Sequence, residues 1–372
     1  MKKREYKNEG IELSLLGLGC MRLPHTKDGD KIIIDEQTSL ELVDQAYKGG
    51  INYYDTAYFY LGSGSEPFMG KALSRYDRDS FYLATKMPMS MLEKPEDAER
   101  IFADQLAKLQ TDHFDFYLCH AMHAPLIEKL DGLGVYDFLR KKKEEGAIRH
   151  LGFSFHDTPD VLEKICSGWE WDFAQIQLNY LDWEMQQAKE QYEILTAHGI
   201  PVVVMEPVRG GTLADPGEEA TAILRAAHPD WSPASWALRY AASLPNVMTV
   251  LSGMNAVEQM TDNLATFEQF EPLTDADRAV LAEALEAFRR RTFVPCTACR
   301  YCAECPQHID IPTVFKAYNR YALDHWADGV HKAVEALPEG SRPADCLGCG
   351  LCESLCPQHI GIPELMQKIA GI

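Results

Sequence analysis

Short runs of apolar and β-branched residues recur along the first 255 positions: LSLLGLG from Leu13, INYYDTA from Ile51, FYLATK from Phe81 and FDFYLCH from Phe114. Four more follow, IRHLGFSF from Ile148, FAQIQLNY from Phe173, PVVVMEPV from Pro201 and VMTVLSG from Val247. Between them lie stretches such as SLELVDQAYKGG from Ser39 and PEDAERIFADQLAKLQ from Pro95, with apolar residues at helical spacing. The pattern predicts an α/β chain of eight strand-helix units, whose parallel strands close most naturally into a (β/α)8, or TIM, barrel. An open doubly wound sheet is the alternative. It lacks its usual mark, because LGLGCM at Leu16 to Met21 has two glycines but not the third of a GxGxxG turn.

After the eighth unit the pattern changes. CPQHIDIP from Cys305 recurs as CPQHIGIP from Cys356, each copy closing a run of cysteines. The intervening IPTVFKAYNRYALDHWADGVHKAVEAL reads as helix with a turn near Gly329. The 372 residues exceed the roughly 250 of one barrel and leave room for this second module. The net charge of -20 lies wholly before Arg289, since nine basic and nine acidic residues follow from there on. Two domains are therefore expected, a barrel over 1–288 and a small α-helical module over 289–372.

The acidity is a poor match to a phosphate backbone, so no nucleic-acid partner is expected. The first residues, MKKREYKNEGIELSLLG, contain no long apolar run and no small-residue cleavage site. Nowhere do about eighteen apolar residues stand together, so no membrane association is expected and the location is expected to be cytoplasmic. In such a setting, eleven cysteines with eight in two tight groups point to metal ligation rather than disulfides.

The second run, Cys346, Cys349, Cys352, Cys356 and Pro357, has the bacterial ferredoxin spacing C-x2-C-x2-C-x3-C-P. In that arrangement three thiolates hold one [4Fe-4S] cube and the fourth reaches the other cluster. The first run, Cys296, Cys299, Cys302, Cys305 and Pro306, is one residue short before its last cysteine. With the exchange retained, cluster one takes Cys296, Cys299, Cys302 and Cys356, and cluster two takes Cys346, Cys349, Cys352 and Cys305. Structural zinc is the alternative, but it gives no reason for two CPQHI repeats. His308 and His359 read as capping or packing residues, and Cys20, Cys119 and Cys166 as buried free thiols.

Polar residues at the carboxyl ends of barrel strands carry chemistry, and Asp55, Lys86 and His120 end the second, third and fourth runs. INYYDTAYFYLGSGSE, from Ile51 to Glu66, resembles the aldo/keto reductase family in its strand, DTA, tyrosine and Gly-rich SE turn. The resemblance runs from about Leu13 to Phe270, and the cysteine module is similar to that of the family's iron-sulfur subgroup. It implies a catalytic tetrad of Asp55, Tyr60, Lys86 and His120. Tyr60 would protonate a carbonyl oxygen, helped by the Lys86 cation, with Asp55 orienting Lys86 and His120 directing the carbonyl. Tyr58 is the rival tyrosine and is expected to be a pocket wall.

The same resemblance implies NADP or NAD as cofactor. Ser154 and Gln175 match the residues that grip the nicotinamide carboxamide, with Phe155 where the family usually has Asn, and Met205 stands where many members stack an aromatic ring. Gly253, Gln259 and Asn263 match the adenosine-phosphate region, at positions that in some members are Lys, Arg and Asn. Arg209 reads either as a pyrophosphate contact or as a surface arginine.

A small carbonyl or alcohol is the implied substrate. Nicotinamides move hydride whereas each cluster takes one electron, so a direct relay needs an intermediate such as a flavin. No flavin signature is visible in the sequence. The clusters then serve electron transfer to a flavoprotein or other redox partner, sense redox state, or brace the fold. A nicotinamide-binding sensor or electron-transfer subunit with little turnover is the alternative to an enzyme.

Overall fold

The computed structural model describes residues 1–7, 9–29, 31–289, 294–324 and 327–372. Its contacts separate two compact units: Met1–Pro207 with Ala234–Thr274, and Val208–Pro233 with Asp275–Ile372. The division has more crossings than the single expected boundary at 288/289. The segment after the seventh apolar run and the helix Asp275–Arg289 group with the cysteine runs.

The first unit is the barrel. Its strands are β1 (Leu16–Gly19), β2 (Tyr53–Asp55), β3 (Tyr82–Met87), β4 (Phe114–Met122), β5 (Ile148–Phe155), β6 (Phe173–Gln177), β7 (Val202–Met205) and β8 (Val247–Ser252). Each of the eight apolar runs coincides with one of them, β3 and β4 continuing past their runs to Met87 and Met122. Every strand pairs in parallel with its neighbours in sequence, and β8 pairs with β1 to close the ring. The open-sheet alternative is thereby excluded.

Side chains two apart share a face of a strand, which sorts the barrel interior into layers. Tyr53, Ala84, Phe116, Phe173 and Val203 fill an apolar cluster with Tyr6 and Leu13. Two residues further along the same strands stand Asp55, Lys86, Leu118, Gln175 and Met205, and His120 follows Leu118 by two. The apolar layer thus lies toward the amino ends and the polar one toward the carboxyl ends. Gly152 makes the apolar layer possible, because a Cβ there would lie 2.5 Å from Phe173 O and 2.6 Å from its ring.

A hairpin of Lys3–Tyr6 and Ile11–Ser14 precedes the barrel. Its Tyr6 hydroxyl donates to Asp172 O at 2.9 Å, and the ring meets His150 edge-on at 4.7 Å. His150 also stacks on Phe116, with ring centroids 4.8 Å apart.

In the second unit, the helices Glu218–Ala227 and Asp275–Arg289 pack together, joined by His228 Nε2 and Asp277 Oδ1 at 2.8 Å. Helices Ile311–Asp324, Ala327–Glu335 and Ile362–Ala370 surround a core that includes Val314, Phe315, Val330, Met366, Cys302 and Cys352. Gly329 lies inside the helix Ala327–Glu335, and the junction with the helix Ile311–Asp324, where the expected turn would fall, lies at 325–326, outside the described residues.

The CPQHI repeat is one turn built twice. His308 and His359 both adopt positive φ, 52° and 50°. Their amides donate to Cys305 O at 2.8 Å and Cys356 O at 3.0 Å. Each copy then enters a helix through Ile-Pro, where proline's missing N–H costs nothing. Among the described residues, no helix is long and apolar enough to cross a membrane.

Candidate functional site

The polar layer of the barrel brings the four expected tetrad residues together. Lys86 Nζ donates to Asp55 Oδ1 and to Thr56 O, both at 2.7 Å. It also lies 5.0 Å from the centroid of the Tyr60 ring. Tyr60 meets His120 edge-on, with ring centroids 5.7 Å apart. All four side chains are buried, so their charges have little water to screen them.

Burial dominates the acid-base properties of the group. It pushes Lys86 down and Asp55 up, while the contact between them pulls each back toward its charged form. His120 is held well below its ordinary 6.5, first by burial and then by the Lys86 charge. A neutral imidazole therefore faces the site, with Nδ1 buried and unpartnered, as is Oδ2 of Asp55. Unsatisfied polar atoms at such a depth are costly unless a ligand or water completes them.

Several residues of this site have no place in the expected constellation. Phe59 stacks face to face on His120 at 4.6 Å, fixing the imidazole plane. Behind Lys86, Glu66 Oε1 accepts from Thr85 Oγ1 at 2.7 Å and from Gln105 Nε2 at 2.6 Å. Gln105 Nε2 also donates to Lys86 O at 3.0 Å, and Tyr117 Oη donates to Gln105 Oε1 at 2.5 Å. The SE turn held the signal for Glu66; its partners come from distant elements. Tyr58 has Lys108 Nζ 4.0 Å from its ring centroid, and Phe59 rather than Tyr58 is the ring against His120.

The expected cofactor residues divide into three groups. Ser154, Gln175 and Met205 lie at the carboxyl ends of β5, β6 and β7. Ser154 Oγ accepts from Ala121 N at 2.7 Å, and Gln175 Nε2 contacts Met205 Sδ at 3.6 Å. Gln175 Oε1 is buried with no partner, an acceptor that suits the carboxamide of a nicotinamide. Beyond β8, Gly253 lies against the Arg22 side chain, exposed Gln259 accepts from Asn255 N at 2.9 Å, and Asn263 donates to Ser252 Oγ at 2.8 Å. Arg209 stands apart. It is fully buried within the second unit, which overturns its reading as a surface arginine. Its guanidinium donates to Pro295 O at 3.1 Å and to Gln358 Oε1 at 3.2 Å.

The cysteines of the second unit line two cavities. Cys296, Cys299, Cys302 and Cys356 line one, with Thr297, Gln358 and apolar side chains such as Phe315 and Ile362. Cys346, Cys349, Cys352 and Cys305 line the other. The fourth sulfur of each set therefore comes from the opposite run, despite the missing residue before Cys305. Among the described residues, no three His, Cys, Asp or Glu side chains form a site for a single metal ion. Four thiols around an apolar hollow fit an iron-sulfur cube instead. Burial and the neighbouring cysteines push the Cys302 thiol up to about 12 and Cys352 up to about 11. Bound iron favours the thiolates that burial opposes. Cys20, Cys119 and Cys166 are free and buried.

These features agree with known proteins. A family model described as the aldo/keto reductase family matches residues 15–286, and one described as a 4Fe-4S dicluster domain matches 295–361. The oxidoreductase YqkF of Bacillus subtilis is 26% identical over 71% of this chain and 90% of its own. The NADH-specific methylglyoxal reductase of Escherichia coli is 26% identical over 78% of this chain and 100% of its own. The solved holo form of an aldo-keto reductase, AKR11C1 of Bacillus halodurans, is 28% identical with a TM-score of 0.63, covering 76% of this chain and 96% of that one. The chain is thus an oxidoreductase that belongs to the aldo/keto reductase family and carries a 4Fe-4S dicluster domain after its barrel.

Proposed function

We propose that the barrel reduces a small carbonyl compound, or oxidises the corresponding alcohol, with NADH or NADPH, and that the second unit holds two [4Fe-4S] clusters for electron transfer. The observation that carries the barrel reading is the buried Lys86 cation, paired to Asp55 at 2.7 Å and 5.0 Å from the Tyr60 ring. When bound, the nicotinamide supplies or accepts the hydride.

Tyr60 Oη gives its proton to the carbonyl oxygen, and the Lys86 charge beside it stabilises the phenolate left behind. Asp55 keeps Lys86 protonated against burial. His120, neutral and oriented by Phe59, hydrogen-bonds the carbonyl and fixes its direction. Ser154 and Gln175 hold the carboxamide, and Met205 flanks the ring. Gly253, Gln259 and Asn263 border the adenosine end; positions 253 and 259 carry no cation for a 2′-phosphate, which leaves NADH acceptable.

The test is consumption of NADH and NADPH with a panel of aldehydes and ketones under anaerobic conditions, with Tyr60→Phe as control. The name of the Escherichia coli relative puts methylglyoxal first in that panel. No turnover across the panel would sink the enzyme reading in favour of a nicotinamide-binding sensor. The cysteine sets hold the clusters, and an absorption spectrum of the anaerobically purified protein tests for them and for a flavin together. The electron partner is expected to be a flavoprotein or another one-electron carrier, since hydride and single-electron chemistry need an intermediate between them.

A further inference from the structure

We propose that Leu347, Leu351 and Leu355, beside the second cysteine cavity, form the docking surface for a small one-electron carrier protein with basic residues around its redox group. The inference rests on the reading that the cysteine cavities hold [4Fe-4S] clusters, and it makes the second of them the place where electrons enter or leave.

The two cavities differ in their walls. Of the described residues that line the first, Arg300 alone is exposed, and buried Ile311, Phe315, Ile360 and Ile362 close the rest. The second is lined by exposed Pro306, Leu347 and Cys349. Cys349 is therefore a lining thiol and a surface residue at once. Electron tunnelling weakens steeply with distance, so a cluster whose ligand stands at the surface is the one that a partner can reach. Seven large apolar side chains are exposed among the described residues, and three of them are Leu347 at 65%, Leu351 at 40% and Leu355 at 37%. Leu355 N donates to Leu351 O at 3.2 Å, so these two side chains leave one face of a single helical turn. Leu347 precedes them across Gly348 and Gly350, both left-handed with φ of 65° and 76°. A Cβ on either glycine would meet nothing within 4 Å, so this loop faces open space. Grouped leucines in such a place mark an interaction site rather than a share of the core.

The charges around the leucines select the partner. No lysine or arginine falls between Pro343 and Leu355, whereas exposed Glu353 stands between Leu351 and Leu355. Exposed Glu304 ends the turn Tyr301–Glu304, which packs against Leu351–Ser354. An apolar centre with a carboxylate rim fits a protein that carries lysines or arginines around an apolar redox edge. Redox encounters commonly bury less than about 1,200 Å², so a small patch suffices for a partner that binds, exchanges one electron and departs. In that exchange one electron passes between the second cluster and the carrier; no bond forms or breaks and no proton moves.

The experiment uses the full-length protein with its clusters reconstituted, and a basic c-type cytochrome as the carrier. Iron is counted first: a native protein without two clusters overturns the cluster reading and the docking surface with it, whereas every later failure touches the docking surface alone. Dithionite-reduced protein, freed of excess reductant, is mixed anaerobically with ferric cytochrome, and the second-order rate of haem reduction is followed by stopped flow. The native rate should fall steeply with ionic strength, as salt screens the attraction. Glu304→Lys with Glu353→Lys should lower it about tenfold at low salt. Leu351→Ser with Leu355→Ser should lower it about threefold or more. Two matched controls on the barrel unit, Ile33→Ser and the pair Glu96→Lys with Glu99→Lys, should change it little. Carbodiimide cross-linking of the native protein to the cytochrome, mapped by mass spectrometry, needs no variant and should join Glu304 or Glu353 to cytochrome lysines. It therefore decides the matter if a variant fails to load iron. Cross-links confined to other carboxylates would overturn the proposal. So would a rate indifferent to all four substitutions with both clusters loaded, or a native dimer that the leucine substitutions dissociate.

Discussion

Asp55 Oδ1 and Lys86 Nζ form a buried ion pair at 2.7 Å, in which Asp55 is the largest influence holding the Lys86 pKa up against burial. In Asp55→Asn that support disappears and the Lys86 pKa falls further. A lysine is charged below its pKa, so the cation beside Tyr60 is then lost at a lower pH than in the native protein. The alkaline limb of the kcat/KM profile should move toward acid, with kcat down about 10²-fold or more near neutrality. A limb that stays in place would separate Asp55 from proton transfer.

Tyr60→Phe removes the hydroxyl and keeps the ring that meets His120 edge-on. Turnover should fall about 10²-fold or more while nicotinamide binding, followed by fluorescence, changes little. An unchanged rate would move the acid elsewhere, with His120 the next residue to test.

Much of this was legible in the sequence because it depends on period and spacing. The eight apolar runs reach the barrel because a two-residue alternation and a strand-helix repeat admit few other closures, and Asp55, Lys86 and His120 stand at strand ends for the same reason. The crossed grouping of cysteines around the two cavities agrees with the ferredoxin spacing of the second run. The rest depends on which distant residues meet. Nothing near Arg209 in sequence announces Pro295 or Gln358, and nothing near Glu66 announces Gln105 and Tyr117. Phe59 was hidden differently, as one of several aromatics in a run where only the backbone decides which ring meets His120.

Between the barrel's apolar layer and the N-terminal hairpin, His150 is held down to about 4 from its ordinary 6.5, chiefly by burial. The folded state therefore binds fewer protons than the unfolded one between these values. Its neutral form contributes stability that is present above about 6.5 and is lost as pH falls toward 4, roughly 3 kcal/mol if the whole shift is realised. His150→Phe keeps an aromatic ring against Phe116 and has nothing to titrate. The thermal midpoint of the barrel should drop less between pH 7 and pH 5 in this variant than in the native protein. Equal drops would place the acid sensitivity in other groups, His120 first.

The last prediction concerns the exchange of sulfurs between the two runs. Cys305 lines the cavity of Cys346, Cys349 and Cys352, and Cys356 lines that of Cys296, Cys299 and Cys302. Eight thiolates supply four to each of two cubes, so the anaerobically purified protein should contain about eight irons. Cys305→Ser should damage the cluster held mainly by the second run, and Cys356→Ser the one held mainly by the first. Paramagnetic resonance of each variant, compared with Cys299→Ala and Cys349→Ala, identifies the cluster affected. Because each fourth ligand crosses to the other site, the clusters also tie the two runs into one folding unit, and removing iron removes that tie. Chelation should therefore expose residues 294–372 to limited proteolysis before the barrel. Two zincs in place of iron, or loss of the cluster belonging to the same run as the mutated cysteine, would show that the sulfurs do not cross.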